Sequence, residues 1–367
     1  MKTALSKSVF ALFLLFFVHP LFVYGESGQE LTTEDQVRIL VPAFNGGGSL
    51  GKNVANVLGL QISQTFRGSD ANGRSLGTAV LLWDENPLKQ LTHDEAMHRA
   101  TDIGTLAQLV LWGTAVPYGD GVVVQSYLTV SPLTAFRNAR PEVLTIQGNT
   151  SKEPQGVSLD IPTVQYNFRP IVLRRDIVDR YQNRSLPIYS SPNLQQVIGT
   201  IGREFRALEY RDDLVYLRSG SLIGWVPLPE LADSRSEIVS FTSALIRILR
   251  GDWPGARELL RAAGTSENLP QAILIDITLY NGLIEEKLGQ SGLKYFYSAY
   301  ELNRFNEAAA RYVVFGLLSE KFRLNKLGKN SKAISTEATT FIQQSKYLFA
   351  NDDPWLKNVR HMLETSE

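Results

Sequence analysis

Cysteine is absent from this chain, which excludes disulfide bridges, thiolate metal sites and cysteine nucleophiles. Histidine is nearly as scarce, and only His93, His98 and His361 follow the first 25 residues. No charge is in excess, because 37 basic residues balance 37 acidic ones. The balance does not favour binding to nucleic acid or to an anionic membrane surface. Long apolar runs are missing after the first 25 residues, so no integral membrane span is predicted there.

The first residues have the pattern of a secretory signal peptide. Lys2 and Lys7 precede the unbroken apolar run Val9–Val18, and small or tolerated residues follow. The polar break at His19–Pro20 argues against an uncleaved membrane anchor. We therefore expect residues 1–25 to be a cleaved signal peptide and the mature protein to be exported, to the periplasm or cell envelope.

The remaining chain predicts a multi-domain α+β protein. Its three segments are a mixed-sheet α/β domain over 36–175, a small β-barrel over 184–231 and an α-helical, repeat-like domain over 235–362. In the first segment, apolar strand patterns alternate with helical spacing, which indicates an α/β layer structure. The predicted strands are 37–44, 78–83, 108–114, 122–130 and 164–173, and the predicted helices are 53–66 and 92–106.

Two features make the prediction for the first segment more specific. Thr92 followed by Glu95 is a helix capping box. The strand Leu109–Thr114, a glycine-rich turn and the strand Val122–Leu128 resemble the amino-terminal domain of TolB and its envelope relatives. The resemblance implies a non-catalytic module for protein interaction. The role of TolB itself is not carried over, because no propeller pattern follows.

The second segment consists of short strands with turn residues at close intervals, which is typical of a small barrel. Its turn at Ser190–Pro192, its Val197–Gly199 step and its closing Gly224–Val226 resemble a bacterial SH3-like domain, with Ser191 in place of the usual glycine. The resemblance implies that cell-wall peptides or extended protein segments bind on an aromatic groove. The candidate ligand-binding residues are Tyr189, Tyr210, Tyr216 and Trp225. Trp225 is equally compatible with a place in the barrel core.

The third segment is helical. One apolar stripe comprises Ile238, Phe241, Leu245, Ile248 and Leu249. A break predicted at 251–255 precedes a partner helix over 256–263, and small residues recur at intervals of about seven. The pattern resembles a short tetratricopeptide-like array, which implies a concave face that binds a partner. An ordinary helical bundle is the alternative.

A second function is suggested by the loop after the first predicted strand. Gly46, Gly51 and Lys52 have the spacing of a phosphate-binding loop, and Asp84 ends the next strand, where a magnesium ligand would lie. Asn53 stands where such loops need serine or threonine for the metal. A nucleotide-binding enzyme is thus the alternative to a binding protein.

No catalytic set is apparent elsewhere. His93 and His98 are five residues apart, which on a helix turns them about 140° from each other, too far for a shared zinc ion. No Gly-x-Ser-x-Gly motif is present. We therefore expect a non-catalytic binding or scaffold protein of the cell envelope, without a cofactor, whose partner is an envelope protein or a peptidoglycan fragment. The oligomeric state is left open.

Overall fold

The structure is a computed structural model, and the predicted signal peptide lies outside the residues that it describes. Those residues are 37–64, 80–102, 105–131, 145–147, 156–159, 161–162, 164–180, 186–202, 204–211, 214–227, 236–265 and 269–365.

The described residues form strands mainly in the first two segments of the chain. In chain order the strands are β1 (Arg38–Pro42), β2 (Val80–Asp84), β3 (Leu109–Tyr118), β4 (Gly121–Val130), β5 (Thr145–Gln147), β6 (Gly156–Ser158), β7 (Gln165–Asn167), β8 (Ile171–Arg174), β9 (Pro187–Tyr189), β10 (Val197–Thr200), β11 (Glu204–Arg211), β12 (Leu214–Ser219) and β13 (Leu222–Pro227).

Helices occur among the early strands and make up the third segment. They are α1 (Leu50–Gln64), α2 (His93–Thr101), α3 (Arg175–Arg180), α4 (Glu237–Leu249), α5 (Trp253–Gly264), α6 (Gln271–Lys287), α7 (Leu293–Leu302), α8 (Glu307–Lys326), α9 (Lys332–Gln344) and α10 (Pro354–Thr365). None of these helices is both long and apolar enough to cross a bilayer.

One large mixed sheet organises the first two segments. Its strand order is β10-β9-β13-β12-β11-β2-β1-β3-β4-β7, with β8 also beside β4. Strand β1 is parallel to β2 and β3, and the other pairings are antiparallel. Strands β5 and β6 form a separate pair. The prediction of a mixed α+β protein is confirmed at this level.

Helices α1 and α2 cover opposite faces of the sheet. Ile39 and Val41 of β1 belong to the core beneath α1, whereas Leu40 belongs to the core beneath α2. Adjacent residues of a strand point to opposite faces, so a strand buried on both sides is apolar throughout. The predicted cap of α2 is present, since the Thr92 side chain accepts a hydrogen bond from the Glu95 N–H.

The second segment continues the sheet of the first. Strand β11 pairs with β2, and Phe205 lies opposite Leu81. The Phe205 side chain is 1% exposed, and its ring centroid is 5.1 Å from that of Trp83. The segments predicted as 36–175 and 184–231 therefore share one sheet and one core in the structure, and their boundaries remain predictions.

The helical segment packs against the same sheet. Phe241 of α4 makes an edge contact with Tyr166 of β7, with ring centroids 4.9 Å apart. The hydroxyls of Tyr166 and Tyr280, the latter on α6, form a buried hydrogen bond of 2.9 Å. Faces of α4 and α6 are thus occupied by the chain's own sheet.

Small residues allow neighbouring helices of the third segment to approach closely. A Cβ on Gly282 of α6 would lie 2.3 Å from the Phe296 ring and 3.1 Å from the Gly292 carbonyl. A Cβ on Gly316 of α8 would lie 2.7 Å from the other side of that ring. Phe296 of α7 therefore packs between two glycines.

The limits of some elements differ from the prediction. Helix α2 ends at Thr101 rather than near Leu106, which has a φ of 41°. The break before α5 is shorter than predicted, because Asp252 caps the helix and Trp253 already belongs to it. The strand predicted over 164–173 returns to the sheet as predicted, but as the two strands β7 and β8 on β4.

Candidate functional site

Three neighbouring strands align aromatic residues in one row. Tyr189 of β9 lies opposite Trp225 of β13, and Trp225 lies opposite Tyr216 of β12. The Tyr216 and Trp225 rings are 4.9 Å apart and inclined by 38°. The flanking residues Val215 and Val226 are fully buried in the core. Because side chains alternate along a strand, the aromatic row lies on the face away from this core.

Trp225 lies on the outer face of the sheet, but neighbouring groups cover most of its side chain. Its side chain is only 8% exposed, although it lies on the outer face. The Arg211 guanidinium lies 5.9 Å from the centre of its ring, within the range of a cation–π interaction. Val197 of β10, which is opposite Tyr189, is 54% exposed and extends the row toward the sheet edge.

Two further residues of β11 bear on the row: Tyr210, which was predicted to belong to it, and Arg211, which was not. Tyr210 of β11 lies opposite Val215 of β12, one position away from the row, and its side chain is outside the described part of the chain. Arg211 was missed by sequence reasoning. Alternation along the strand places Arg211 on the face opposite to Tyr210, so the prediction that Tyr210 belongs to the aromatic groove excluded Arg211 from it.

The predicted phosphate loop joins β1 to α1, as expected for a nucleotide site. Open α/β sheets bind ligands between carboxyl ends of neighbouring strands at the point where the strand order reverses. Here that crevice, between β1 and β3, is bridged by backbone. Asn45 N–H donates to the Gly113 carbonyl at 2.8 Å, and Ala115 N–H donates to the Asn45 carbonyl at 2.8 Å. A Cβ on Gly46 would lie 2.7 Å from the Ala115 oxygen.

The two ends of this loop also touch each other. The Phe44 N–H donates to the Gly51 carbonyl at 3.1 Å. A Cβ on Gly51 would lie 1.8 Å from the Phe44 oxygen, so only glycine allows this approach. The glycines that the prediction assigned to phosphate binding therefore bring the chain close to itself.

The charges of the predicted nucleotide site have protein partners. Lys52 Nζ is 4.0 Å from a Glu85 carboxylate oxygen. Asp84 pairs with Arg99 of α2 and also accepts a hydrogen bond from the Asn86 N–H. The structure brings Lys52 and the end of β2 to the same edge of the sheet, but it pairs each charge with an opposite charge.

We expect ATP to leave the melting temperature unchanged. Saturating a site at 100 times its Kd adds about 2.7 kcal/mol to stability, which a thermal scan detects readily. The measurement is a thermal scan of residues 26–367 with millimolar ATP and Mg²⁺, with Lys52→Ala in parallel. A rise in the melting temperature that Lys52→Ala removes would establish the nucleotide alternative instead.

The histidines have different environments. His93 is the first residue of α2, and its two ring nitrogens lie 2.8 Å from Thr129 Oγ1 and 3.0 Å from Asn167 Oδ1. His98 lies 3.6 Å from Asp102 near the end of the same helix. Across the part of the chain that the structure describes, no group of three or more histidine, aspartate or glutamate side chains could hold a metal ion.

The aromatic row is therefore the arrangement of predicted residues with the clearest chemistry. Its rings offer an apolar surface, and Arg211 adds a cation beside them. Comparison of the chain with family models, with curated proteins and with solved structures returned no match.

Proposed function

We propose that this chain is a non-catalytic binding or scaffold protein of the cell envelope. The observation that carries the proposal is the aromatic row Tyr189–Trp225–Tyr216, which three strands align on the sheet face away from the core. It agrees with the resemblance to a bacterial SH3-like domain. Export of the protein rests on the signal pattern of residues 1–25.

The chemistry of the row suits a peptide. Tyrosine and tryptophan provide a large, rigid contact area at a small cost in conformational entropy. Arg211 can pair with a carboxylate while its guanidinium stacks on Trp225. A peptidoglycan peptide or an extended protein segment with a free carboxylate would satisfy both groups.

The helical segment would bind a second partner, as the resemblance to a tetratricopeptide-like array implies. The faces of α4 and α6 that contact Tyr166 are covered by the sheet. A protein partner would have to use a different helical surface.

Binding to the cell wall gives the direct test. We expect the mature protein to sediment with purified peptidoglycan sacculi, and Arg211→Gln to weaken this binding at least about tenfold, because a charge-assisted hydrogen bond contributes about 1.5–3 kcal/mol. Tyr216→Ala should also weaken it, by removing the ring that packs against Trp225. The fraction bound is measured over a range of sacculus concentrations.

Arg261→Gln is the matched control, since Arg261 lies on α5 with a side chain that is 78% exposed. It changes the net charge as Arg211→Gln does and should leave binding unchanged. Equal losses in both variants would point to non-specific charge attraction. Recovery of neither sacculi nor an envelope protein by the wild-type protein would contradict the proposal.

A further inference from the structure

A groove between α7 and α9 holds a continuous line of aromatic side chains. Its volume of about 650 Å³ is in the range of ligand-binding clefts. The line contains, in spatial order, Tyr297, Phe341, Tyr300, Tyr347 and Phe305. All of these except Phe305 line the groove itself, and Phe305 continues the line beyond Tyr347.

Each ring in this line contacts the next. The Phe341 ring centroid is 5.9 Å from that of Tyr297 and 5.0 Å from that of Tyr300. The hydroxyls of Tyr300 and Tyr347 are 3.4 Å apart, and the Tyr347 and Phe305 rings are 6.1 Å apart. These residues therefore form a continuous chain of contacts that ends at Phe305, in which Phe341 and Tyr300 are only 8% and 9% exposed.

One end of the line is open to solvent. Phe305 is 81% exposed and Tyr347 is 57% exposed. The Phe305 N–H donates to Asn303 Oδ1 at 3.0 Å, and the Tyr347 hydroxyl donates to the Arg304 carbonyl at 3.0 Å. Adjacent exposed aromatic rings on an ordered surface are a feature of interaction sites.

The charged groups of the groove are mainly acidic. Glu301 and Glu337 line it together with a single cation, Arg304. Arg304 pairs with Glu301, whereas Glu337 accepts a hydrogen bond of 2.7 Å from the Tyr297 hydroxyl. One carboxylate is therefore not matched by a cation among the lining residues.

We propose that this groove binds an extended, proline-containing segment of a partner protein that carries a basic residue. The inference rests on the proposed function, for which it names the second binding surface. Proline-rich segments adopt a preformed polyproline II helix whose backbone has no internal hydrogen bonds, and they dock on aromatic-lined grooves. The basic residue of the segment would pair with Glu337.

The length of α7 sets how many residues of such a segment would lie beside it. Helix α7 has 10 residues, a length of about 15 Å at 1.5 Å per residue. A polyproline II helix rises about 3.1 Å per residue, so about five of its residues would lie along α7. The sheet packs on α4 and α6, whereas this groove is formed by α7 and α9.

Fluorescence anisotropy with a labelled synthetic peptide tests the proposal. The probe is a nine-residue peptide of eight prolines around one arginine, and its control has glutamate in place of arginine. We expect saturable binding of the arginine peptide to the mature protein and at least fivefold weaker binding of the glutamate peptide. The double substitution Phe305→Ala and Tyr347→Ala should weaken binding of the arginine peptide at least tenfold.

Leu327→Ala is the matched control, because Leu327 is 62% exposed and lies at the end of α8. It should leave peptide binding unchanged. Binding that is insensitive to the double substitution would overturn the proposal. So would binding of an N-acetylglucosamine tetramer without binding of the peptide, which would identify a carbohydrate surface.

The two proposals can fail separately. Arg211 lies on the sheet and does not line the groove, so Arg211→Gln should not change binding of the proline peptide. Peptide binding without sedimentation on sacculi would support the groove and contradict the wall-binding role of the aromatic row. Sedimentation on sacculi without peptide binding would support the wall-binding role of the aromatic row and contradict the groove proposal.

Discussion

Phe205→Ala is expected to lower the free energy of unfolding by about 3–5 kcal/mol, the usual cost of removing a buried phenylalanine. Phe205 is 1% exposed and lies on β11 opposite Leu81 of β2, with its ring against Trp83. The substitution would leave a cavity where the first two segments of the chain join. Urea denaturation measures the loss.

The same experiment tests whether these segments unfold together. Because β11 and β2 belong to one sheet, we expect tryptophan fluorescence and far-ultraviolet circular dichroism to report one shared transition. Phe305→Ala, at an 81% exposed residue, is the matched control and should change stability by less than about 0.5 kcal/mol. A separate early transition for the second segment, with a loss below about 1 kcal/mol, would contradict the shared core.

Asp276→Asn is expected to stabilise the protein above pH 7. Asp276 lies on α6 and is 7% exposed, and burial raises its pKa from 3.8 to about 7. A raised folded-state pKa means that the folded protein binds a proton more readily than the unfolded chain does. The stability contributed by protonated Asp276 is present in full below pH 3.8 and is lost as the pH rises to about 7.

The size of this effect follows from the same linkage. Each pH unit between the two pKa values removes about 1.4 kcal/mol, so the total is on the order of 4 kcal/mol. Asparagine has nearly the same shape and carries no charge, so Asp276→Asn should recover much of this stability at pH 8. The measurement is urea denaturation at pH 5 and at pH 8, with the difference between variant and wild type largest at pH 8.

Asp252→Asn is the matched control for Asp276→Asn. Asp252 is 4% exposed, but it pairs with Arg247 and accepts a hydrogen bond from the Gly255 N–H at the start of α5. Removing its charge should destabilise the protein, because it would break the buried ion pair with Arg247. A loss of stability in both variants, or an unchanged pH dependence in Asp276→Asn, would show that Asp276 is not a buried, desolvated carboxylate.

Local patterns predicted much of the secondary structure. The apolar runs of β1 and β2, the hairpin of β3 and β4 and the helical spacing of α1 are properties of neighbouring residues, as is the Thr92 cap. The predicted strand over 164–173 was placed on the correct sheet, but not its division into β7 and β8. Limits of elements were predicted less well, because they depend on capping groups such as Asp252.

Identification of the candidate site required both the sequence and the pairing of the strands. Sequence reasoning selected Tyr189, Tyr216 and Trp225 by their residue type within short strands, but it could not state which sheet face they share. That face is determined by the pairing of β9, β13 and β12. Tyr210 had the same residue type, yet its pairing places it one position away from the row.

The sequence by itself determined the classes of chemistry open to this protein. Without cysteine, with few histidines and with balanced charge, it excluded thiol chemistry and disfavoured metal or nucleic-acid binding. Tertiary structure alone decided that β11 pairs with β2, that loop residue Asn45 bridges to β3, and that Tyr297 and Phe341 line one groove. The reason is that backbone hydrogen bonds between strands are made by every residue type, and contacts between distant helices depend on how the whole core packs.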